Sequence, residues 1–203
     1  MAASLGFAVD GSQHAPVLVL GSSVGSDGRM WEPQLPALID RFRVIRYDHR
    51  GHGASETPPG PYAIADLAGD VLALLDHLEV ERVHLGGLSL GGMVAMWLAA
   101  HSPARGDRLA LFCTSAQMSP AQSWLDRAAT VRSSGMEAVA DAVTARWFTP
   151  SFASSHPDVA GTHRQMLLLV RPEGYAGCCE AIATMDLRQT LACCGADARR
   201  RRT

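Results

Sequence analysis

Short apolar runs alternate with amphipathic stretches over the first half of the chain. Phe7 to Asp10, Pro16 to Leu20 and Phe42 to Tyr47 are bounded by Gly, Pro or Asp and have the length of sheet strands. Between Ile64 and Leu78 the apolar positions Ile64, Leu67, Val71, Leu74, Leu75 and Leu78 recur at helical spacing, while Asp66, Asp70 and Asp76 take the other faces. That pattern predicts an amphipathic helix packed on a sheet. Val83 to Leu85 and Leu109 to Cys113 predict two further strands, and Met93 to Ala100 between them is apolar nearly all round, which predicts a buried helix. Such alternation implies an α/β architecture with a mostly parallel central sheet.

After Thr114 the periodicity changes. No convincing strand follows, and apolar residues recur at helical spacing in three groups: Val139, Val143 and Trp147; Val159, Met166, Leu167 and Val170; and Tyr175, Cys178, Ile182 and Met185. Pro150, Pro157 and Pro172 punctuate them. The expected division is a core over residues 1–118, an inserted helical cap over 119–192, and an aberrant or disordered tail over 193–203. That tail is a run of Gly, Ala, Asp and Arg without apolar periodicity, and reads either as a short disordered end or as the out-of-frame product of a GC-rich gene.

Composition narrows the functional classes. The 203 residues are 47% hydrophobic and 19% charged with a net charge of −2, values of an ordinary soluble domain. The sole basic block, Arg199 to Arg202, is a solvated tail rather than a nucleic-acid footprint. No signal peptide and no run of about 18 apolar residues is present, so the expectation is a cytoplasmic protein without a membrane partner. Cys113, Cys178, Cys179, Cys193 and Cys194 read as free thiols, and His49 and His52 lack partners spaced to complete a metal site. No metal is expected.

The chemistry is concentrated in Gly87-Leu88-Ser89-Leu90-Gly91. A G-x-S-x-G run after a strand and before a helix is a nucleophile elbow, in which the serine hydroxyl stands on a sharp turn above the sheet. The loop lacks the Lys-Ser or Lys-Thr ending and the glycine spacing of nucleotide loops. In this architecture an acid and then a histidine follow the serine in chain order. After Ser89 come His101, His156 and His163 only, none of them beyond a late strand; Asp158 and His163 fall together on a predicted cap helix.

Four segments carry a family resemblance: Leu18 to Gly25 with Met30 to Gln34, Tyr47 to Ser55, Gly87 to Gly92, and Pro172 to Cys179. The D-x-R-G-x-G-x-S loop and the elbow are widespread in α/β-hydrolases. The Ser-Ser-Val-Gly loop and the cap segment with its Cys-Cys pair resemble the 3-oxoadipate enol-lactonases, over almost all of the chain up to about Ala192. The resemblance implies an α/β-hydrolase fold, without the last strands, that opens a small-molecule lactone through a serine acyl-enzyme in aromatic catabolism, with no cofactor. It implies Ser89 as nucleophile and the backbone N–H groups of Val24 and Leu90 as the oxyanion hole. Asp48 and Arg50 would brace the adjoining loop. The family's acid and histidine belong to a stretch on the order of 60 residues, two strand-helix units, that the 203 residues lack, so activity as written is expected to be absent. Other readings are an esterase or cofactor-free haloperoxidase-like relative, or a non-catalytic pseudohydrolase. Arg132, Arg146 and Arg164 could reach a pocket but read first as solvated surface charges. Strand Leu109 to Cys113 would be left as an exposed edge prone to aggregation. Oligomeric state is not encoded in these patterns.

Overall fold

The computed structural model describes residues 2–192; the expectation for the 193–203 segment lies outside the described residues. Five strands form one sheet in the order β1-β3-β2-β4-β5, with β1 Phe7–Asp10, β2 Val17–Gly21, β3 Arg43–Tyr47, β4 Val83–Leu88 and β5 Gly106–Phe112. All neighbours run parallel except β1, which pairs antiparallel with β3. All five predicted strands are present. The bounds differ most at β4, which continues to Leu88, and at β5, which starts at Gly106, ahead of its apolar run, with the polar residues Asp107 and Arg108.

Register sets a strip of β-branched and leucine side chains across the sheet: Val19 lies opposite Ile45 on one side and Leu85 on the other. On this face pack α2 (Ile64–His77) and α3 (Leu90–His101), whose Leu67, Val71, Leu75, Met93 and Val94 are buried. Each such side chain contributes about 1.5–3 kcal/mol relative to exposure. The alternate positions Leu18, Leu20 and Val44 point to the other face. There a 3₁₀ turn, Gly28–Gln34, and the short α1, Leu35–Leu38, cover only part of the sheet with Trp31, Leu35 and Leu38. An apolar trough of about 730 Å³ remains between Trp31, Phe42, His84 and Phe112. Among the described residues the outer strand β5 is an exposed edge, as β1 is on the other side, and Leu109, Leu111 and Phe112 are each at least 40% exposed.

After β5 come the helices α4 Ala121–Ser134, α5 Glu137–Thr144, α6 Pro150–Ser155, α7 Pro157–Leu168 and α8 Pro172–Thr184, and residues 188–192 are again helical. The chain enters and leaves this layer at one point, where Gln117 bridges Asp186 and the Leu187 N–H donates to Ala116 O at 2.9 Å. Two fastenings hold the layer over the carboxyl ends of β2 and β3. Gly174 in α8 meets Gly51 backbone to backbone, so close that a Cβ on Gly174 would lie 2.3 Å from Gly51 Cα. Arg171 donates its N–H to Gly51 O and its guanidinium to Thr57 Oγ1 and Ser55 O.

Candidate active site

Ser89 joins β4 to α3 at φ +52°, ψ −111°, a backbone conformation that a non-glycine residue holds only when its surroundings enforce it. The enforcement is visible. The Ser89 N–H donates to Phe112 O at 2.9 Å, Thr114 Oγ1–H donates to Ser89 O at 2.8 Å, and the Gly91 N–H donates to Ser22 O at 3.0 Å. The flanking glycines have no room for a side chain: a Cβ at Gly91 would stand 2.2 Å from Gly21 O, and one at Gly87 would stand 2.2 Å from the Gly91 carbonyl carbon. Gly91→Ala is therefore expected to cost about 3 kcal/mol through overpacking. Gly69→Ala, in mid-α2 with nothing within 4 Å, should instead gain ~0.5–1 kcal/mol from helix propensity. Urea midpoints of the two variants measure both.

The loop after β2 carries Val24, and two buried histidines shape it. His52 Nδ1–H donates to Arg50 O at 2.8 Å, which leaves Nε2 as the acceptor for the Gly25 N–H at 2.9 Å. His49 Nε2–H donates to Ser22 O at 2.9 Å. The His52 bonds require a neutral ring, because its Nε2 accepts, and burial lowers His49 to about 3 and His52 to about 4. Asp48 adds a further brace by accepting from the Gly28 N–H at 2.8 Å and the Ala54 N–H at 3.0 Å. Burial raises its pKa. Arg50 pairs with Asp70 of α2.

Ser89 and Val24 line one cavity of about 410 Å³, and Leu90, fully buried, presents its N–H as the first of α3. Among the described residues neither the Val24 nor the Leu90 N–H has a hydrogen-bond partner. Helices α4, α5 and α7 with the adjoining turn close the cavity with Trp124, Val143, Trp147, Phe148 and His163, and two arginines, Arg127 and Arg146, face it.

No histidine makes a hydrogen bond to Ser89 Oγ among the described residues. His101 stacks on Trp97 at 4.2 Å, and His156 stacks on Phe152 at 4.5 Å. His163 reaches the cavity wall, but its Nδ1–H donates to Val159 O rather than to a carboxylate. Of the cap arginines considered from sequence, Arg132 and Arg164 are taken up in ion pairs and Arg146 faces the cavity. Arg127 carries no sequence signal that separates it from a surface charge; its place on the wall is set by its position three residues after the buried Trp124.

The family model described as alpha/beta hydrolase fold matches residues 4–188. Over 188 residues the chain is 41% identical to 3-oxoadipate enol-lactonase 2 of Acinetobacter baylyi, covering 93% of this chain and 70% of that protein. The enol-lactonase from Burkholderia xenovorans superposes with a TM-score of 0.91 at 45% identity, over 93% of this chain and 73% of that one. A hydrolase from Pseudomonas aeruginosa superposes with a TM-score of 0.90 at 47% identity, over 94% and 72% of the two chains.

Proposed function

Since the chain belongs to the α/β-hydrolase family, we propose that Ser89 is its nucleophile and that its substrate is the enol-lactone of 3-oxoadipate. The observation that carries the reading is Ser89 held at positive φ on the β4–α3 turn, in one cavity with Val24 and next to two unpartnered N–H groups. The identity to enol-lactonases over nearly the whole chain narrows the substrate.

In this reading Ser89 Oγ attacks the lactone carbonyl carbon and gives up its proton to a base. The Val24 and Leu90 N–H groups hold the oxyanion, and both are main chain, so their strength does not depend on side-chain identity. Collapse breaks the ring C–O bond. The departing enol oxygen takes a proton and tautomerises to the ketone, and water hydrolyses the Ser89 ester to release 3-oxoadipate. No step needs a cofactor. The helical layer, residues 119–192, acts as the cap of a core spanning residues 1–118. A cytoplasmic place in aromatic breakdown belongs to the same proposal; no described helix is long and apolar enough to cross a membrane.

With no histidine on Ser89 Oγ among the described residues, the 203-residue chain is expected to open the lactone at least about 10⁴-fold below a complete triad. Added imidazole tests this directly, because it is small enough for a 410 Å³ cavity and can act as the base. Expected is a rise in lactone hydrolysis, above the buffer reaction, that Ser89→Ala abolishes. Equal rates with and without Ser89 would remove the nucleophile assignment. A rise on p-nitrophenyl esters alone would favour a simple esterase.

A further inference from the structure

The cavity above Ser89 has two cationic side chains on its wall and no acidic one. Arg127 projects from α4, and Arg146 follows α5. Every other arginine of the helical layer is engaged among the described residues: Arg132 with Glu173 and Glu180, Arg164 with Glu137 and Asp141, Arg188 with Asp186, and Arg171 with Thr57 and two main-chain carbonyls. Among the described residues Arg127 and Arg146 make no ion pair. Arg127 is also preorganised, its guanidinium lying 4.5 Å from the ring centroid of Trp124, which itself lines the cavity. Its guanidinium also interacts with the buried hydroxyl of Tyr175, an interaction that favours the phenolate.

Two like charges facing an apolar recess with no counter-ion concentrate a positive field there. A guanidinium held over an aromatic ring keeps its charge and its forked N–H donors for a carboxylate, which such a fork receives bidentately. We propose that Arg127, assisted by Arg146, is the carboxylate subsite of this cavity. The ligand it selects is a short organic acid whose anionic end lies on the α4–α5 wall and whose carbonyl end reaches Ser89. Arg127 is the stronger of the two because it is half-buried, whereas Arg146 is exposed and screened. The orientation of the ligand rests on Ser89 being the reacting group; the subsite itself rests only on the wall of the cavity.

Calorimetric titration of the chain with adipate, and with its neutral diamide adipamide, tests the subsite without requiring turnover. Adipate is expected to bind at least about tenfold more tightly than adipamide, and Arg127→Gln should remove most of that difference. Arg127→Lys keeps the charge but not the fork and should restore only part of it. Arg146→Gln is expected to weaken adipate about threefold, with an unchanged urea midpoint as the check on folding. Ser89→Ala should leave adipate binding within about twofold, so loss of Ser89-dependent hydrolysis with retained, Arg127-dependent binding would overturn the nucleophile reading alone. Equal affinity for adipate and adipamide, or Arg127→Gln and Arg146→Gln variants that each bind adipate like the parent chain, would overturn the subsite.

Discussion

Brought from neutral pH to about pH 4.5, the chain is expected to lose ~5 kcal/mol of stability, most of it through His49 and His52. Both rings are fully buried, and both are held below the ordinary histidine value, to about 3 and about 4. In the unfolded chain the same imidazoles take up protons near pH 6.5, so between there and about pH 4 the unfolded state binds protons that the fold refuses. Stability is full above that window and falls by about 1.4 kcal/mol per pH unit for each ring as pH drops through it. Neighbouring charges adjust the slope. Asp27 favours protonation of His52 and Arg171 opposes it, while the two rings, 6.2 Å apart, repel as cations. Asp48 works the other way, since its raised pKa lets the fold take a proton more readily than the unfolded chain does. The loss is comparable to the whole stability of many domains. Urea midpoints measured from about pH 7.5 down to pH 4.5 give the curve, and His52→Gln, which keeps an acceptor for the Gly25 N–H, should flatten it. A profile that is level between pH 7 and 5 would mean that these rings ionise inside the fold.

Asp70→Ala is expected to cost about 3–5 kcal/mol, because it strands a buried guanidinium. Asp70 is 1% exposed and accepts from Arg50 Nη2 at 2.8 Å and from the Ala3 N–H at 2.7 Å. Arg50 also lies 5.1 Å from the ring centroid of Tyr62. Removing both charges, as Arg50→Met with Asp70→Leu, should cost less than removing Asp70 alone, and a double-mutant cycle in urea gives the coupling. The effect carries to the site. Arg50 O is the acceptor that fixes the His52 tautomer, and His52 in turn holds the Gly25 N–H next to Val24. A loosened Arg50 therefore loosens the loop that supplies one of the two proposed oxyanion donors.

How far the molecule could be read from its residues depended on how far each residue's job was local. Strand length and helical spacing expose β1 to β5, α2 and α3, because each buries a face whose period is set by its own backbone. The first residues of β5 escape that test, since an edge strand buries little and Asp107 and Arg108 look like loop. Helix α4 is also hidden, with only Trp124, Ala128 and Val131 buried among many polar neighbours. Within the site, Gly-x-Ser-x-Gly announces Ser89 because the steric demand of the turn is written in adjacent glycines. Arg127 has no such local signature. A charged residue on a polar helix becomes a cavity wall only once α4 is laid across the ends of the strands. His49 and His52 resemble loop histidines in sequence; their role as a matched donor and acceptor for the Ser22–Gly25 main chain appears only after two distant loops meet.

The open side of β5 also orders the sheet in time. β2 and β4 have hydrogen-bonded neighbours on both sides, whereas β5 among the described residues has only β4. Among the described residues its outward-facing amides have no ladder partner, so deuterium from the solvent is expected to enter the sheet at the two edge strands, β1 and β5, before it reaches Val17–Gly21. Ser89 is bonded to Phe112, the final residue of that outermost strand, and the strained turn therefore sits on the boundary between the part of the sheet that breathes and the part that does not.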